Sequence, residues 1–130
     1  MAKETLEQFA ARVTEDGRVD REEVDQIRAR IFADGHVDQE EASVLFDIND
    51  RVNGAADNHP SWQSLFVYGV AAYALDDDNK VDDAEAEFIA SRISGDGNVD
   101  KNEVALLAEL QRRATSIDAA LKPVLAKAGL

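Results

Sequence analysis

The chain has no cysteine, only two prolines and a single tryptophan among its 130 residues. The absence of cysteine excludes a disulfide framework and any metal site built on thiolates. Basic residues are also few, since 14 lysines and arginines stand against 27 acids and leave a formal net charge of −13. This imbalance disfavours direct binding to nucleic acid or to anionic membranes, which both require clustered cations. It favours a metal cation or a basic protein as partner.

A long apolar run is also missing, so we expect no membrane insertion. The first ten residues, MAKETLEQFA, contain no apolar signal region, and we therefore expect a cytoplasmic protein. Hydrophobic residues nevertheless make up 45% of the chain, which is too many for a disordered segment. The length is sufficient for one domain, 1–130, with its own core.

The chain repeats one short motif four times: Asp, then Gly or Asn, any residue, Val, Asp, two residues, and Glu. We call the copies loops one to four: DGRVDREE at 16–23, DGHVDQEE at 34–41, DNKVDDAE at 78–85 and DGNVDKNE at 96–103. A shift of 62 residues lays the first pair of loops on the second pair. The same shift aligns apolar positions, such as Ile27 with Ile89 and Leu45 with Leu107. These matches indicate an internal duplication of 6–51 onto 68–113.

Between the loops the apolar residues recur with helical spacing, and no strand-like run appears. The stretch NGAADNHPS, 53–61, is predicted to link the two halves, with Pro60 suited to a first helical position. The segment from Trp62 to Leu75 is apolar most of the way round and predicts a central, buried helix. A further helix is predicted over 116–128, kinked or split at Pro123. We therefore expect an all-α fold of six to seven helices, in two duplicated three-helix halves joined by acidic corners.

The motif has a structural interpretation as a corner between two helices. The Gly or Asn would end one helix in the left-handed conformation, and the second Asp would cap the next helix. The Glu three residues later would complete an acidic capping box. The Val between them would anchor the corner in the core.

The motif also has a functional interpretation, as the second half of an EF-hand calcium loop. In that loop the ligands stand at places 1, 3, 5, 7, 9 and 12, with Gly at place 6 and a bidentate Glu at place 12. The motif fits places 5 to 12, and the hard calcium ion favours oxygen ligands of this kind. The first Asp separates the two interpretations, because a carboxylate at a helix C-terminus opposes the macrodipole by about 0.3–1 kcal/mol. A cation at the corner would compensate that cost.

The candidate metal ligands are the acidic residues of the four loops, with one carbonyl. They are Asp16, Asp20 and Glu23; Asp34, Asp38 and Glu41; Asp76, Asp78, Asp82 and Glu85, with the carbonyl of Lys80; and Asp96, Asp100 and Glu103. The front of each loop fits poorly, because place 1 holds Arg or Ala. Loop three should bind best, since it alone has a carboxylate at place 3, Asp76. Loop two should bind worst, since Phe32 stands at that place.

The loops resemble the TerB-like family of small, acidic, all-helical domains associated with tellurite resistance. FADGHVDQEEA, 32–42, is the closest local match, and LDDDNKVDDAEAEF, 75–88, is the second. The resemblance covers both repeat halves. It implies divalent-metal binding in a stress or membrane-complex context. The resemblance also implies that the metal ligands are Asp34, Asp38 and Glu41, together with Asp78, Asp82 and Glu85.

The arrangement of the loops follows from the helix that separates them. Loops one and two are separated by about 13 helical residues, roughly 20 Å, and must lie at opposite ends of that helix. If the helices run up and down, loops one and four share one end and loops two and three the other. This predicts Val19 near Val99 and Val37 near Val81.

The sequence favours a non-enzymatic module that binds a divalent cation, with calcium as the first candidate. It contains no phosphate loop, nucleophile elbow or paired-histidine motif. Two alternatives remain open. One is a helical interaction module whose acidic corners only cap helices. The other is an acidic mimic of nucleic acid that binds a basic protein.

Overall fold

The computed structural model describes residues 4–32, 37–52, 55, 58–75, 79–94 and 99–130. Seven α-helices account for most of the described chain, which confirms the all-α prediction of six to seven helices. They are α1 Leu6–Val13, α2 Arg21–Ile31, α3 Gln39–Val52, α4 Ser61–Ala74, α5 Asp83–Ser94, α6 Lys101–Arg113 and α7 Lys122–Lys127. Two short strands, β1 Lys80–Val81 and β2 Ser116–Ile117, and a 3-10 turn at Ala119–Leu121 complete the described elements.

The helix bounds follow the 62-residue shift of the sequence repeat. Helix α2 begins at Arg21 and α5 at Asp83, while α3 begins at Gln39 and α6 at Lys101. The apolar residues of the corners are anchored in the core, with Val19, Val37 and Val81 each at most 4% exposed. The same local signals therefore start the equivalent helices in both halves.

Helix α4 is the central helix, as its apolar composition predicted. It packs against α2, α3 and α6, and the side chains of Trp62, Phe66 and Val70 are buried. At Gly69 the contact with α3 is so close that an added Cβ would collide with Leu45. Glycine therefore lets α3 and α4 approach at this point, although it is a poor helix former.

The prediction of a helix over 116–128 was wrong in its first part. Residues 116–117 form β2, which pairs in parallel with β1, and the chain then makes the 3-10 turn before α7 begins at Lys122. Two flanking backbone bonds extend the pairing, from Thr115 N to Asn79 O at 2.7 Å and from Asp118 N to Val81 O at 2.9 Å. Pro123 lies in the first turn of α7, where its missing N–H costs no hydrogen bond, so it starts the helix rather than kinking it.

Loop one makes a similar contact with the segment that follows α3. The backbone N–H of Val19 donates to Asn58 Oδ1, and its carbonyl accepts from His59 N, both at 2.9 Å. Asn58 is itself fixed by a 2.7 Å bond from Nδ2 to the carbonyl of Val52. Both backbone groups of Val19 are therefore bonded to the segment 58–59. The expected nearness of Val19 to Val99 stays a prediction.

The link between the halves is described only in part. Of the predicted linker 53–61, residues 53, 54, 56 and 57 lie outside the described chain. Helix α4 begins at Ser61, one residue later than the predicted start at Pro60, which stands at the N-cap position. Among the described helices, none combines the length and the apolar character needed to cross a membrane.

Candidate metal-binding corners

The second half of every loop forms a complete capping box. In loop one, Asp20 Oδ1 accepts from Glu23 N at 2.8 Å, and Glu23 Oε1 accepts from Asp20 N at 3.0 Å. The other three loops repeat the same two bonds at 2.7–2.8 Å and 3.0 Å, through Asp38 and Glu41, Asp82 and Glu85, and Asp100 and Glu103. Each box satisfies two backbone N–H groups at the start of a helix and contributes about 1 kcal/mol.

The turns before the boxes of loops one and three each contain a residue in the left-handed conformation. Gly17 has a φ of 78°, and Asn79, its counterpart 62 residues later, has a φ of 60°. Asn enters this region more easily than most residues, because its short polar side chain can bond locally. The left-handed turn of these two loops is thus confirmed, but the prediction that this residue ends the preceding helix was wrong. Helix α1 ends at Val13 with Thr14 as its C-cap, and α4 ends at Ala74 with Leu75 as its C-cap.

The four boxes differ in how far they face the solvent. In loops one to three the Asp of the box is exposed and the Glu is half-buried. In loop four Asp100 is half-buried and Glu103 is completely buried. The carboxylates of Asp100 and Glu103 therefore face the interior of the protein more than their equivalents do. The motif does not predict this difference, because it is the same in all four loops.

A buried polar network explains the position of loop four. The amide of Asn49 donates to Asp100 Oδ2 at 2.9 Å, and Asn49 Oδ1 accepts from Trp62 Nε1 at 3.2 Å and from Asn102 Nδ2 at 2.8 Å. Gln63 Nε2 extends the network by donating to Asn102 Oδ1 at 3.0 Å. The network joins α3, α4 and α6 and gives the carboxylate of Asp100 a structural role.

The sequence interpretation missed this network, although one signal was present. Asn49 follows Leu45 and Ile48 on the apolar face of α3, where a polar side chain must find internal partners when it is buried. The partners themselves lie 13 to 53 residues away, so their identity depends on the tertiary fold.

Loop one shows the electrostatic effect of its clustered acids. Burial raises the pKa of Glu23, and the negative charges of Asp20 and Asp16 raise it further, against the bond from the Asp20 backbone and the charge of Arg18. Asp16 lies just after the end of α1 and pairs with Arg18 at 3.5 Å. The charges of Asp16 and Asp20 therefore act on the carboxylate of Glu23.

The remaining candidate ligands are placed only in part. Asp34, Asp76, Asp78 and Asp96 lie outside the described residues, so the ranking of loop three above loop two stays a prediction. Lys80, the predicted carbonyl ligand, lies in β1 with an exposed side chain. Across the described ranges, no three acidic or histidine side chains lie close enough together to hold a metal ion.

Comparison with known proteins finds no matching family model, no matching curated protein and no matching solved structure. The resemblance of the loops to the TerB-like family therefore stays a prediction.

Proposed function

We propose that the protein is a non-enzymatic helical module that binds a divalent cation, with calcium as the first candidate, at its outward-facing acidic loops. The supporting observation is the raised pKa of Glu23, which results from burial and from the charges of Asp20 and Asp16. Carboxylates that repel one another in the empty loop gain when a cation neutralises them.

The proposal ranks the loops by the direction of their carboxylates. Loops one and three have an exposed Asp and a half-buried Glu, and Gly17 and Asn79, which stand at place 6, have left-handed φ angles. Loop four is the weakest candidate, because Asp100 is bonded to Asn49 and Glu103 is buried. A cation there would have to break the buried network.

Cation binding must compete with the capping boxes. Bidentate ligation by Glu23 or Glu85 would draw on the same oxygen that accepts the backbone N–H of Asp20 or Asp82. Losing such a bond costs about 0.5–1.5 kcal/mol, which predicts weak affinity. The lack of a ligand side chain at place 1 of every loop also predicts weak affinity.

The four complete boxes also favour a second candidate, a helical interaction module whose corners only cap helices. Every Asp–Glu pair has a structural use in the empty protein, so its presence does not require a metal. In that case calcium would act only as a general counterion.

Calorimetry with a matched salt separates the two candidates. We expect millimolar calcium to raise the melting temperature above that in EDTA with sodium chloride of equal ionic strength. Binding to the native state alone adds about 1.4 kcal/mol when calcium is at ten times its Kd. Asp16→Asn should reduce the response, whereas Glu22→Gln, which removes the same charge from an exposed position of α2, should not. Equal melting temperatures in calcium and in the matched salt would exclude the cation proposal.

A further inference from the structure

A cleft of about 280 Å³ lies between the segment 58–63 and the start of α6. Its volume is close to the lower limit for ligand pockets, about 300 Å³, and suits a small molecule. The polar and charged residues of the described lining are Asn58, His59, Gln63, Lys101 and Asn102. This lining contains a lysine and no carboxylate, in a chain whose net charge is −13.

The carboxamide walls of the cleft are held in fixed orientations. The amide of Gln63 donates to Asn102, and the amide of Asn102 donates to the buried Asn49. Asn58 is bonded through its oxygen to Val19 N and through its nitrogen to Val52 O. These side chains need not reorganise when a ligand enters, which lowers the entropy cost of binding.

His59 presents a donor because its other ring nitrogen is occupied. Its Nδ1 accepts from the backbone N–H of Ser61 at 3.2 Å and lies 2.7 Å from Ser61 Oγ. A backbone N–H can only donate, so Nδ1 carries a lone pair and the proton of the neutral ring is on Nε2. The imidazole of His59, which belongs to the lining, therefore carries its N–H donor on Nε2.

Lys101 supplies the positive charge of the cleft. Its side chain is exposed at the start of α6 and forms no ion pair with any residue in the described part of the chain. The neighbouring acids are engaged in the corner, where Asp100 accepts from Asn49 and from Glu103 N, and Glu103 is buried. The ammonium group is thus the charged group that the described lining offers to a ligand.

We propose that this cleft binds a small oxyanion, a carboxylate or a phosphate, through the Lys101 ammonium group and His59 Nε2–H. Both are donors, and bonds from a charged donor to an oxyanion are about twice as strong as neutral ones. The amide nitrogen of Gln63 donates one hydrogen to Asn102, which leaves its second N–H to donate to the oxyanion and its carbonyl oxygen to accept from a hydroxyl or amino group of the ligand. Lys101 and Asn102 belong to loop four, the weakest cation candidate, but none of the predicted metal ligands lies in the described lining of the cleft.

Proton–nitrogen NMR on the full chain in EDTA tests the proposal. Sodium phosphate and sodium acetate are titrated separately, each against sodium chloride of equal ionic strength. We expect saturable shifts of the His59 ring and the Gln63 side-chain amide with at least one of the two anions. Saturation by acetate alone identifies a carboxylate site, and saturation by phosphate alone identifies a phosphate site. Shifts that chloride reproduces at equal ionic strength would overturn the proposal.

Lysine variants distinguish a contact between the anion and Lys101 from long-range electrostatic attraction by the whole protein. Lys101→Met should weaken binding about tenfold, which corresponds to the loss of one charge-assisted bond, while Lys101→Arg should retain most of it. Lys127→Met removes the same charge from an exposed position of α7, outside the cleft lining, and should leave affinity unchanged. Equal weakening by Lys101→Met and Lys127→Met would show long-range attraction and would refute a site at the cleft.

Discussion

Asn49 and Asp100 are joined by a 2.9 Å hydrogen bond across the two halves of the chain, although 51 residues separate them. Both polar atoms of the Asn49 side chain therefore form hydrogen bonds, since its nitrogen donates to Asp100 and its oxygen accepts from Trp62 and Asn102. The duplicated halves are thus connected through one buried carboxamide whose counterpart, 62 residues later in α6, is the glutamine at position 111. The exposure of that glutamine shows that the repeat is not symmetric here.

Replacing this carboxamide should be costly. Asn49→Ala leaves the indole N–H of Trp62, the amide of Asn102 and one oxygen of Asp100 without their partner. We expect a loss of about 3 kcal/mol in the free energy of unfolding, measured with urea at 25 °C. Gln63→Ala, at the exposed end of the same network, should cost less than about 1 kcal/mol. Equal, small losses would show that the network contributes little.

Arg92 forms the second connection between the halves. It donates to the side chain and carbonyl of Ser43 and to Asp47 at 2.6 Å, and its guanidinium lies over the ring of Phe46. We expect Arg92→Met to lower the free energy of unfolding by about 2 kcal/mol, because charged hydrogen bonds are lost from a side chain only 21% exposed. Arg92→Lys should recover only part of this, since an ammonium group lacks the planar fork.

The matched control for Arg92 is an exposed arginine with one carboxylate partner. Arg112 bonds to Glu109 at 2.6 Å and is 69% exposed, so Arg112→Met should cost less than about 1 kcal/mol. If both methionine variants lose the same free energy, the contact between α3 and α5 is no stronger than a surface ion pair.

Loops one and three hold different residues, Gly17 and Asn79, at the same left-handed position, so the two can be compared by substitution. Gly17→Asn should fold with little loss, because Asn79 already adopts a φ of 60° at the equivalent position. Gly17→Ala should lose about 1 kcal/mol, since no neighbour lies within 4 Å and backbone strain alone decides the cost. Urea unfolding of the two variants measures the difference, and a fully stable alanine variant would contradict the assigned conformation.

The raised pKa of Glu23 predicts a pH-dependent effect of Glu23→Gln. An acid whose pKa is raised in the folded state stabilises the protein below its ordinary value, here 4.5, and loses this contribution as the pH rises through the folded pKa. The glutamine variant cannot ionise but can still close the capping box. It should therefore be more stable than the wild type at pH 7, and the gain should vanish below pH 4.5.

Urea unfolding at pH 7 and pH 4 measures the effect, with Glu22→Gln as control. Glu22 is exposed on the first turn of α2, beside Glu23 but outside the box. A stabilisation that is the same at both pH values, or the same in both variants, would assign the effect to net charge instead.

Glu85→Gln tests the bidentate ligand of loop three. If Glu85 binds calcium through both oxygens, the change should lower calcium affinity about tenfold or more, while the capping box keeps the empty protein stable. Glu87→Gln removes the same charge from an exposed position of α5 and should leave the affinity unchanged. Isothermal titration in low salt measures both, and an unchanged affinity in Glu85→Gln would remove loop three from the candidate sites.

The elements that could be predicted from the sequence are those fixed by local chemistry. Gly or Asn at the turn, Asp at the cap and Glu three residues later specify each corner within eight residues, and the 62-residue repeat carries the same signals to the second half. The predicted buried helix around Phe66 also follows from its composition alone. Each of these features depends on residues close together in the chain.

The features that could not be predicted depend on partners far away in the sequence. The sequence after Ser116 predicts the start of a helix. In the structure, however, the backbone N–H groups of Thr115 and Asp118 donate to the carbonyls of Asn79 and Val81. These bonds outweigh the weak helix propensity of the segment. In the same way, the motif gives Glu103 the same role as Glu23. Only the tertiary fold shows that one is buried and the other half-buried.

The position of α4 also determines the order in which the chain can fold during synthesis. Helix α4 is the first helix of the second half, yet it covers α2 and α3 of the first half. The apolar surface of α2 and α3 that α4 covers therefore stays open on the ribosome until residues 61–74 have emerged, although α3 can already pack against α1. In the second half, the surface of α5 that the 3-10 turn and α7 cover likewise stays open until those later elements have been made. During translation, part of the apolar surface of each half therefore stays exposed until the next segment of the chain has been made.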